Sequence, residues 1–325
     1  MNYIIIASLL VIALPLYFRL AKRLHILDIP GERSSHTKPT IRGGGIIFPL
    51  AVLLWFVFFG FGHPLAITGL LLIAAVSFAD DLLNLPNSIR FVVHLMAVSL
   101  LFYELGLFGM HWYLVVAAYV ISVGWINAFN FMDGINAITP FYTLVALVTF
   151  WYLGFTGLFI MPQSLIIVTM ISLLIFSWYN ARKHARTFAG DVGSISMAFI
   201  LAWLMLELMI QTRTFAWIML FSVYGIDSVI TIMIRLARRE NIFRAHRLHL
   251  YQLLANEHRW PHLNVAGTYA LIQLAINAVC IFLVSHKLMS LQVFAGILFV
   301  LTVGYLVVRR SFAQGTESGE LGAGS

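Results

Sequence analysis

The chain has 325 residues, 61% of them hydrophobic and only 10% charged, with a formal net charge of +7. A soluble domain keeps roughly a quarter of its residues charged, so this composition excludes an ordinary soluble protein and indicates one that crosses a membrane repeatedly. The single Cys280 lies in an apolar run, which excludes a disulfide framework.

In chain order, the first apolar run, 2–19, carries no charge before Arg19 and no small-residue cleavage pattern, so it reads as an uncleaved span. Further spans are expected near 44–62, 65–79, 89–107, 112–126, 139–158, 162–179, 194–210, 215–235, 265–284 and 289–308. Runs of this length match the ~30 Å hydrocarbon core. The expected fold is an all-α polytopic membrane protein of about eleven transmembrane helices, a single domain over 1–310. The polar, Gly-rich 311–325 reads as a disordered tail or an appended scar.

Counting Lys and Arg in alternate loops gives eighteen on one side and two, Arg213 and Lys287, on the other. By the positive-inside rule the N-terminus is outside and the C-terminus cytoplasmic. This bias accounts for most of the net charge, so nucleic acid is not an expected partner.

Five polar stretches then fall at cytoplasmic ends: 27–45, 79–90, 127–136, 188–194 and 238–252. Such one-sidedness favours chemistry at the inner membrane surface over transport, which places polar groups at midplane or on both faces. Asp80 and Asp81 end a span, where adjacent acids oppose the helix dipole. They suit a divalent cation or a proton, or are solvated turn acids. Asn127, Asn130 and Asp133 step by three along one helical face, as a polar pocket or as glue between helices. "AGDVGS" precedes a helix: Gly190 and Gly193 allow close backbone approach, and Asp191 is available to Mg²⁺ or Mn²⁺. Arg244, His246, Arg247 and His249 suit phosphate oxygens, or else rest on anionic lipid. Asp227 lies about two turns inside a span, an intramembrane acid of open role.

Taken together and in this order, the stretches from Leu27 to Gln252 resemble the polyprenyl-phosphate N-acetylhexosamine-1-phosphate transferase family (glycosyltransferase family 4). That group includes the phospho-N-acetylmuramoyl-pentapeptide translocase and the enzymes that initiate O-antigen synthesis. The resemblance implies transfer of a sugar-1-phosphate from a UDP-sugar to undecaprenyl phosphate, with Mg²⁺ and release of UMP, in the bacterial inner (cytoplasmic) membrane. Mn²⁺ is expected to substitute in part, and a homodimer is allowed. By motif, Asp80 and Asp81 match paired aspartates facing the lipid phosphate and metal, and Asp191 a metal ligand. Phe188 matches an aromatic that stacks on uracil, Asn130 and Asp133 an element near the nucleotide, and His246 and His249 loop histidines near the diphosphate. "DIPGERSSHTKPTIRGGG" matches the first cytoplasmic loop, with His36 and Arg42 singled out.

Two departures stand out. Asn136 replaces the acid common in Asp-Gly-φ-Asp, where φ is apolar, which alters sugar or uridine contacts. "HRLHLYQ" lacks a run of three histidines, which points to the O-antigen or teichoic-acid branch and an N-acetylhexosamine or deoxy relative. Rival readings are a transporter or flippase for a phosphorylated solute and a CDP-alcohol phosphotransferase, whose multi-Asp helix is missing.

Overall fold

The computed structural model describes residues 1–30, 38–241 and 247–322, with side chains through Phe312. The protein is an all-α polytopic membrane protein. Its long helices are α1 (Asn2–Arg23), α2 (Ile47–Phe58), α3 (Pro64–Leu83), α4 (Asn87–Glu104), α5 (Trp112–Met132) and α6 (Ile138–Phe155). After them come α7 (Gln163–Asn180), α8 (Gly190–Thr212), α9 (Ser222–Ala237), α11 (His262–Ser285) and α12 (Leu291–Gly322), with a three-residue α10 (Leu250–Gln252) before α11.

Every expected helix is present. Among the described residues nine helical segments are long and apolar enough to cross a membrane. The other two fall short for separate reasons. With its leading 3₁₀ turn α2 spans only Gly44–Phe58, and the apolar character of α4 is diluted by Asn87, Arg90, His94 and Glu104.

The helices arrange around α8, whose residues from Val192 to Leu206 are all buried. It packs against α3, α5, α2 and α6. By contrast α12 is peripheral, with Phe299, Val300 and Val307 more than 60% exposed. In water such a surface would drive aggregation. In a bilayer it is the lipid-facing side.

Two irregularities are resolved by side chains. A 3₁₀ segment, Phe215–Phe221, leads into α9 and breaks its hydrogen-bond ladder within the apolar layer. An unpaired peptide group there costs several kcal/mol, and no water is at hand to satisfy it. Gln273 of α11 spans the break: its Nε2 donates to Met219 O at 2.9 Å and its Oε1 accepts from Val223 N at 3.0 Å. Tyr142 and Asn277 bond the same amide. The second irregularity is a two-stranded antiparallel ribbon after α1, β1 (Leu27–Asp28) with β2 (Thr40–Ile41), from which Ile41 also bridges to Thr187.

Three helices run past their expected ends toward the polar stretches. α3 continues to Leu83, α5 to Met132, and α8 begins at Gly190. Their polar and glycine-rich ends resemble loops, yet they stay helical because side-chain and backbone partners satisfy them. As a result Asp80, Asp81, Asn127, Asn130 and Asp191 are all helical residues.

Candidate active site

The site is built at the N-terminus of α8. The chain from Ile41 to Gly45 lies against 187–189 as a backbone ladder: Phe188 N donates to Ile41 O at 2.8 Å, Gly44 N to Phe188 O at 2.9 Å and Gly45 N to Ala189 O at 3.0 Å. Only glycine permits this approach. A Cβ on Gly193 would stand 2.6 Å from Gly45 Cα, and one on Gly190 2.6 Å from Asp81 Oδ2 and 2.8 Å from Gly43. Gly43 and Gly190 also adopt φ of +79° and +70°, which L side chains resist. Tyr17 of α1 ties down the same loop, donating to Arg42 O at 2.6 Å.

This junction aims three carboxylates at one place. Asp81, fully buried, accepts from Asp191 N and Val192 N, both at 3.0 Å, one on each oxygen. It therefore caps the first turn of α8, where the helix dipole favours an anion. The unfavourable position of an acid at the end of α3 is offset by a favourable one at the start of α8. Arg42 Nε reaches Asp81 at 2.7 Å, and its NH2 lies 3.6 Å from Asp191. Asp80 is held in parallel fashion: Leu85 N donates to Oδ1 at 2.7 Å and Arg90 NH1 reaches Oδ2 at 2.6 Å, with Arg90 NH2 3.6 Å from Asp191. Each arginine thus holds one member of the pair closely and Asp191 loosely.

α5 brings the next stretch. Asn130 accepts from Ser194 Oγ at 2.6 Å, across to the first turns of α8. Asp133 accepts a short hydrogen bond from Thr139. Burial pushes the Asp133 carboxyl up to about 7, the Thr139 bond opposes this, and the charges of Asp191 and Asp81 add to it. Tyr251 closes over the turn, donating to Phe131 O at 2.8 Å. Next to it His249 stacks on Tyr251 with ring centroids 5.7 Å apart, and its Nδ1 lies 3.0 Å from Asp227 Oδ1.

The structure therefore brings Arg42, Asp80, Asp81, Asp191, Asn130 and Asp133 together, and links His249 to them through Tyr251. Phe188 contributes its backbone to the ladder and keeps a half-buried side chain. Two expected residues stand apart. Asn127 spends its amide on Val123 O of its own helix at 2.8 Å. Asn136, 5% exposed, donates to Arg182 O at 2.9 Å and bonds the α7–α8 connection instead of lining the cleft. Arg247 lies at the start of the described stretch that carries His249, whereas His36, Arg244 and His246 lie outside the described residues. Sequence reasoning missed Arg90 as more than a topological charge, gave no role to Ser194 at the end of "AGDVGS", and missed Thr139, whose hydroxyl carries no motif signal.

As metal ligands the three acids differ. Among the described residues no three His, Cys, Asp or Glu side chains form a ready-made cage. Asp81 has both oxygens committed to backbone N–H groups and Arg42, a poor fit to a ligand. Asp191 meets the two arginines only at 3.6 Å and shares a side-chain contact with Asp80, which retains lone pairs beside Leu85 N and Arg90. Those two suit a hard cation that takes one or two carboxylates and completes its shell with water and substrate phosphates.

The helical membrane bundle thus gathers three acids and two arginines at one end of its central helix. Residues 63–209 match the model of glycosyl transferase family 4. The chain is 25% identical over 276 residues to the "Probable undecaprenyl-phosphate N-acetylglucosaminyl 1-phosphate transferase" of Bacillus subtilis (strain 168), covering 77% of this chain and 75% of that one. It is 27% identical over 207 residues to the phospho-N-acetylmuramoyl-pentapeptide-transferase of Streptococcus equi subsp. zooepidemicus, covering 54% of this chain and 61% of the relative. The enzyme of that same name from Thermotoga neapolitana matches at 25% identity, over 73% of this chain and 82% of the relative. Residues 63–209 hold Asp80, Asp81, Arg90, Asn130, Asp133 and Asp191, while Arg42, Asp227 and His249 lie outside that span.

Proposed function

We propose that this protein transfers a sugar-1-phosphate from a UDP-sugar to undecaprenyl phosphate and releases UMP. The observation that carries this reading is Asp191 in the first turn of α8, flanked by Arg42 and Arg90 whose close partners are Asp81 and Asp80. Two guanidiniums within reach of one site suit two phosphate-bearing reactants. The relatives' names supply the acceptor and the phosphosugar class. An N-acetylhexosamine or a deoxy relative is the donor sugar, in an early membrane step of a cell-envelope glycan. The O-antigen or teichoic-acid branch is favoured by the "HRLHLYQ" loop.

A phosphate oxygen of the lipid attacks the phosphorus on the sugar side of the diphosphate, and the bond from that phosphorus to the UMP oxygen breaks. The sugar's C1–O bond is untouched, so anomeric configuration is retained. Arg42 and Arg90 screen the repulsion between the two anions, and Asp80, with its side chain 7% exposed against 0% for Asp81, orients the acceptor. Asp191, with Asp80, would hold Mg²⁺ or Mn²⁺, which when bound draws charge from the diphosphate. Phe188 offers a π face to the uracil ring. When its Nε2 carries a proton, His249 donates it in a hydrogen bond to the diphosphate oxygens.

The eighteen-to-two distribution of Lys and Arg supports a cytoplasmic site in the bacterial inner membrane, N-terminus outside. Ser88 and Lys287 are both exposed. Cysteines placed there should label from the cytoplasm and from outside, respectively, and the reverse would overturn the orientation. The reaction itself is tested by incubating purified protein with a panel of UDP-sugars and undecaprenyl phosphate, then separating the nucleotide product. UMP with a lipid-diphosphate sugar is expected, and stoichiometric UDP would refute attack at phosphorus.

A further inference from the structure

Asp227 lies inside the membrane-spanning segment Phe215–Ala237, is completely buried, and belongs to none of the motif stretches. An acid there is costly unless its charge is well compensated. Five donors from four elements converge on it. Tyr269 of α11 donates to Oδ2 at 2.6 Å. Oδ1 receives His249 Nδ1 at 3.0 Å, Tyr305 of α12 at 3.1 Å, and Leu250 N and Thr231 Oγ1 at 3.3 Å. Arg309 of α12 stands behind these, bonding Tyr305 OH at 2.9 Å and Thr231 Oγ1 at 3.1 Å.

The informative pair is His249 Nδ1 and Leu250 N on one oxygen. A carboxylate that merely glued α9 to α11 and α12 would be satisfied by Tyr269, Tyr305 and Thr231. This one also takes the ring nitrogen and the following backbone N–H of the loop that carries His249. It thereby fixes both where the loop ends and which way the imidazole faces. A carboxylate that accepts from Nδ1–H selects the tautomer whose Nε2 carries the lone pair, the arrangement that also orients metal-bound and catalytic histidines.

We propose that Asp227 is a positioning residue for the transfer reaction. It holds the buried His249 ring, stacked on Tyr251, in the Nδ1-protonated orientation, and α12 acts through Tyr305 and Arg309 to hold the carboxylate. The inference rests on the phosphosugar transfer proposed above for the role of His249. It makes the C-terminal helix part of the active-site scaffold.

The test uses the full-length protein in detergent or nanodiscs, with ¹⁵N-labelled histidine. His249 is assigned by comparison with His249→Gln, at a pH where the ring is neutral. Wild type should show the tautomer protonated at Nδ1, and Asp227→Asn should lose that preference. In turnover assays Asp227→Asn should lower kcat about tenfold or more, up to the ~10²–10³-fold lost with a whole oxyanion-stabilising donor, with KM for the donor changed less than about threefold. The double variant Asp227→Asn/His249→Gln should stay within about threefold of His249→Gln alone, because both act through one ring. If Asp227→Asn does not fold, Tyr269→Phe keeps the acid, removes only the anchor of Oδ2, and should move spectrum and kcat in the same direction to a smaller extent. A folded variant with unchanged tautomer, or losses that multiply in the double variant, overturns the proposal. Should the wild type turn over no UDP-sugar, the proposed reaction fails, while the imidazole spectrum still decides the role of Asp227.

Discussion

Asp81→Asn separates a capping role from a metal-binding one. In the native site the carboxylate is fully buried, and each oxygen accepts one backbone N–H of α8 at 3.0 Å. An amide offers one acceptor oxygen and turns an NH₂ toward the other N–H, leaving a buried donor unpaired at about 1–3 kcal/mol. Loss of the negative charge at the helix N-terminus adds roughly 0.3–1 kcal/mol. The broken ion pair adds little more, since the Arg42 side chain is one-third exposed and partly screened. A total of about 1–4 kcal/mol corresponds to a fall in apparent melting temperature of roughly 2–6 °C for a chain of this size.

Differential scanning fluorimetry in detergent reads the first effect, and the Mg²⁺ concentration for half-maximal turnover reads the second. Asp81→Asn should melt earlier and lose kcat as Asp191 drifts, while its Mg²⁺ midpoint stays near wild type. Asp191→Asn should do the opposite, melting normally and losing its Mg²⁺ response. An Asp81→Asn variant that melts like wild type and needs far more Mg²⁺ would refute the cap and return Asp81 to the ligands.

Two further substitutions probe the frame of the site. Asn136→Asp restores the acid common to this motif but turns a carboxylate toward the carbonyls of Arg182 and Lys183, which now accept from the amide. It should cost about 1–3 kcal/mol in thermal stability and bring no gain in turnover with any UDP-sugar; a faster, equally stable enzyme would show that position 136 faces substrate. Gln273→Leu preserves bulk but orphans Met219 O and Val223 N at the break before α9. It should lower stability by about 2–4 kcal/mol, read as melting in detergent, and an unchanged melt would mean that the break re-forms its own ladder.

The helices were legible because a bilayer demands long apolar runs, and hydropathy reads that demand directly. Their ends were not. Asp80-Asp81 and Gly190 to Gly193 have loop-like compositions and meet tertiary partners (the α8 cap, the Gly43–Gly45 ladder) where they stay helical. The helical step of Asn127 and Asn130, by contrast, was legible, and Asp133, expected on the same helical face, lies just past the end of α5. The acids of the site could be found because charge is rare in this chain. Arg90 could not, since positive charge is common in the loops on its side of the helices and nothing local distinguishes it from a topological marker. Asp227 was conspicuous but uninterpretable, because Tyr269 and Tyr305 lie 42 and 78 residues further on and no periodicity reports a contact at that range. Asn136 misled for a related reason: its motif position suggested substrate, whereas its bonds run to a connection 46 residues away.

The charge count at the centre of the site leads to the last prediction. With all three acids ionised, Asp80, Asp81 and Asp191 face two guanidiniums, so the cluster carries a net charge of −1, and Asp191 is the acid held least closely, at 3.6 Å from each arginine. A diphosphate arriving alone would meet both that negative charge and arginines already engaged. A divalent cation at Asp191 reverses the sign of the site, while the spare N–H groups of Arg42 and Arg90 remain available to phosphate oxygens. Binding of UMP or a UDP-sugar should therefore tighten markedly with Mg²⁺ in the wild type, measured by calorimetry in detergent with and without chelator. Asp191→Asn leaves a neutral cluster of two acids and two arginines. It should bind nucleotide weakly but with little dependence on Mg²⁺, while turnover falls by about two orders of magnitude or more, since the metal's several kcal/mol of charge stabilisation is lost. Mg²⁺-dependent binding of normal size in Asp191→Asn would show that the cation sits elsewhere and that Asp191 serves the arginines alone.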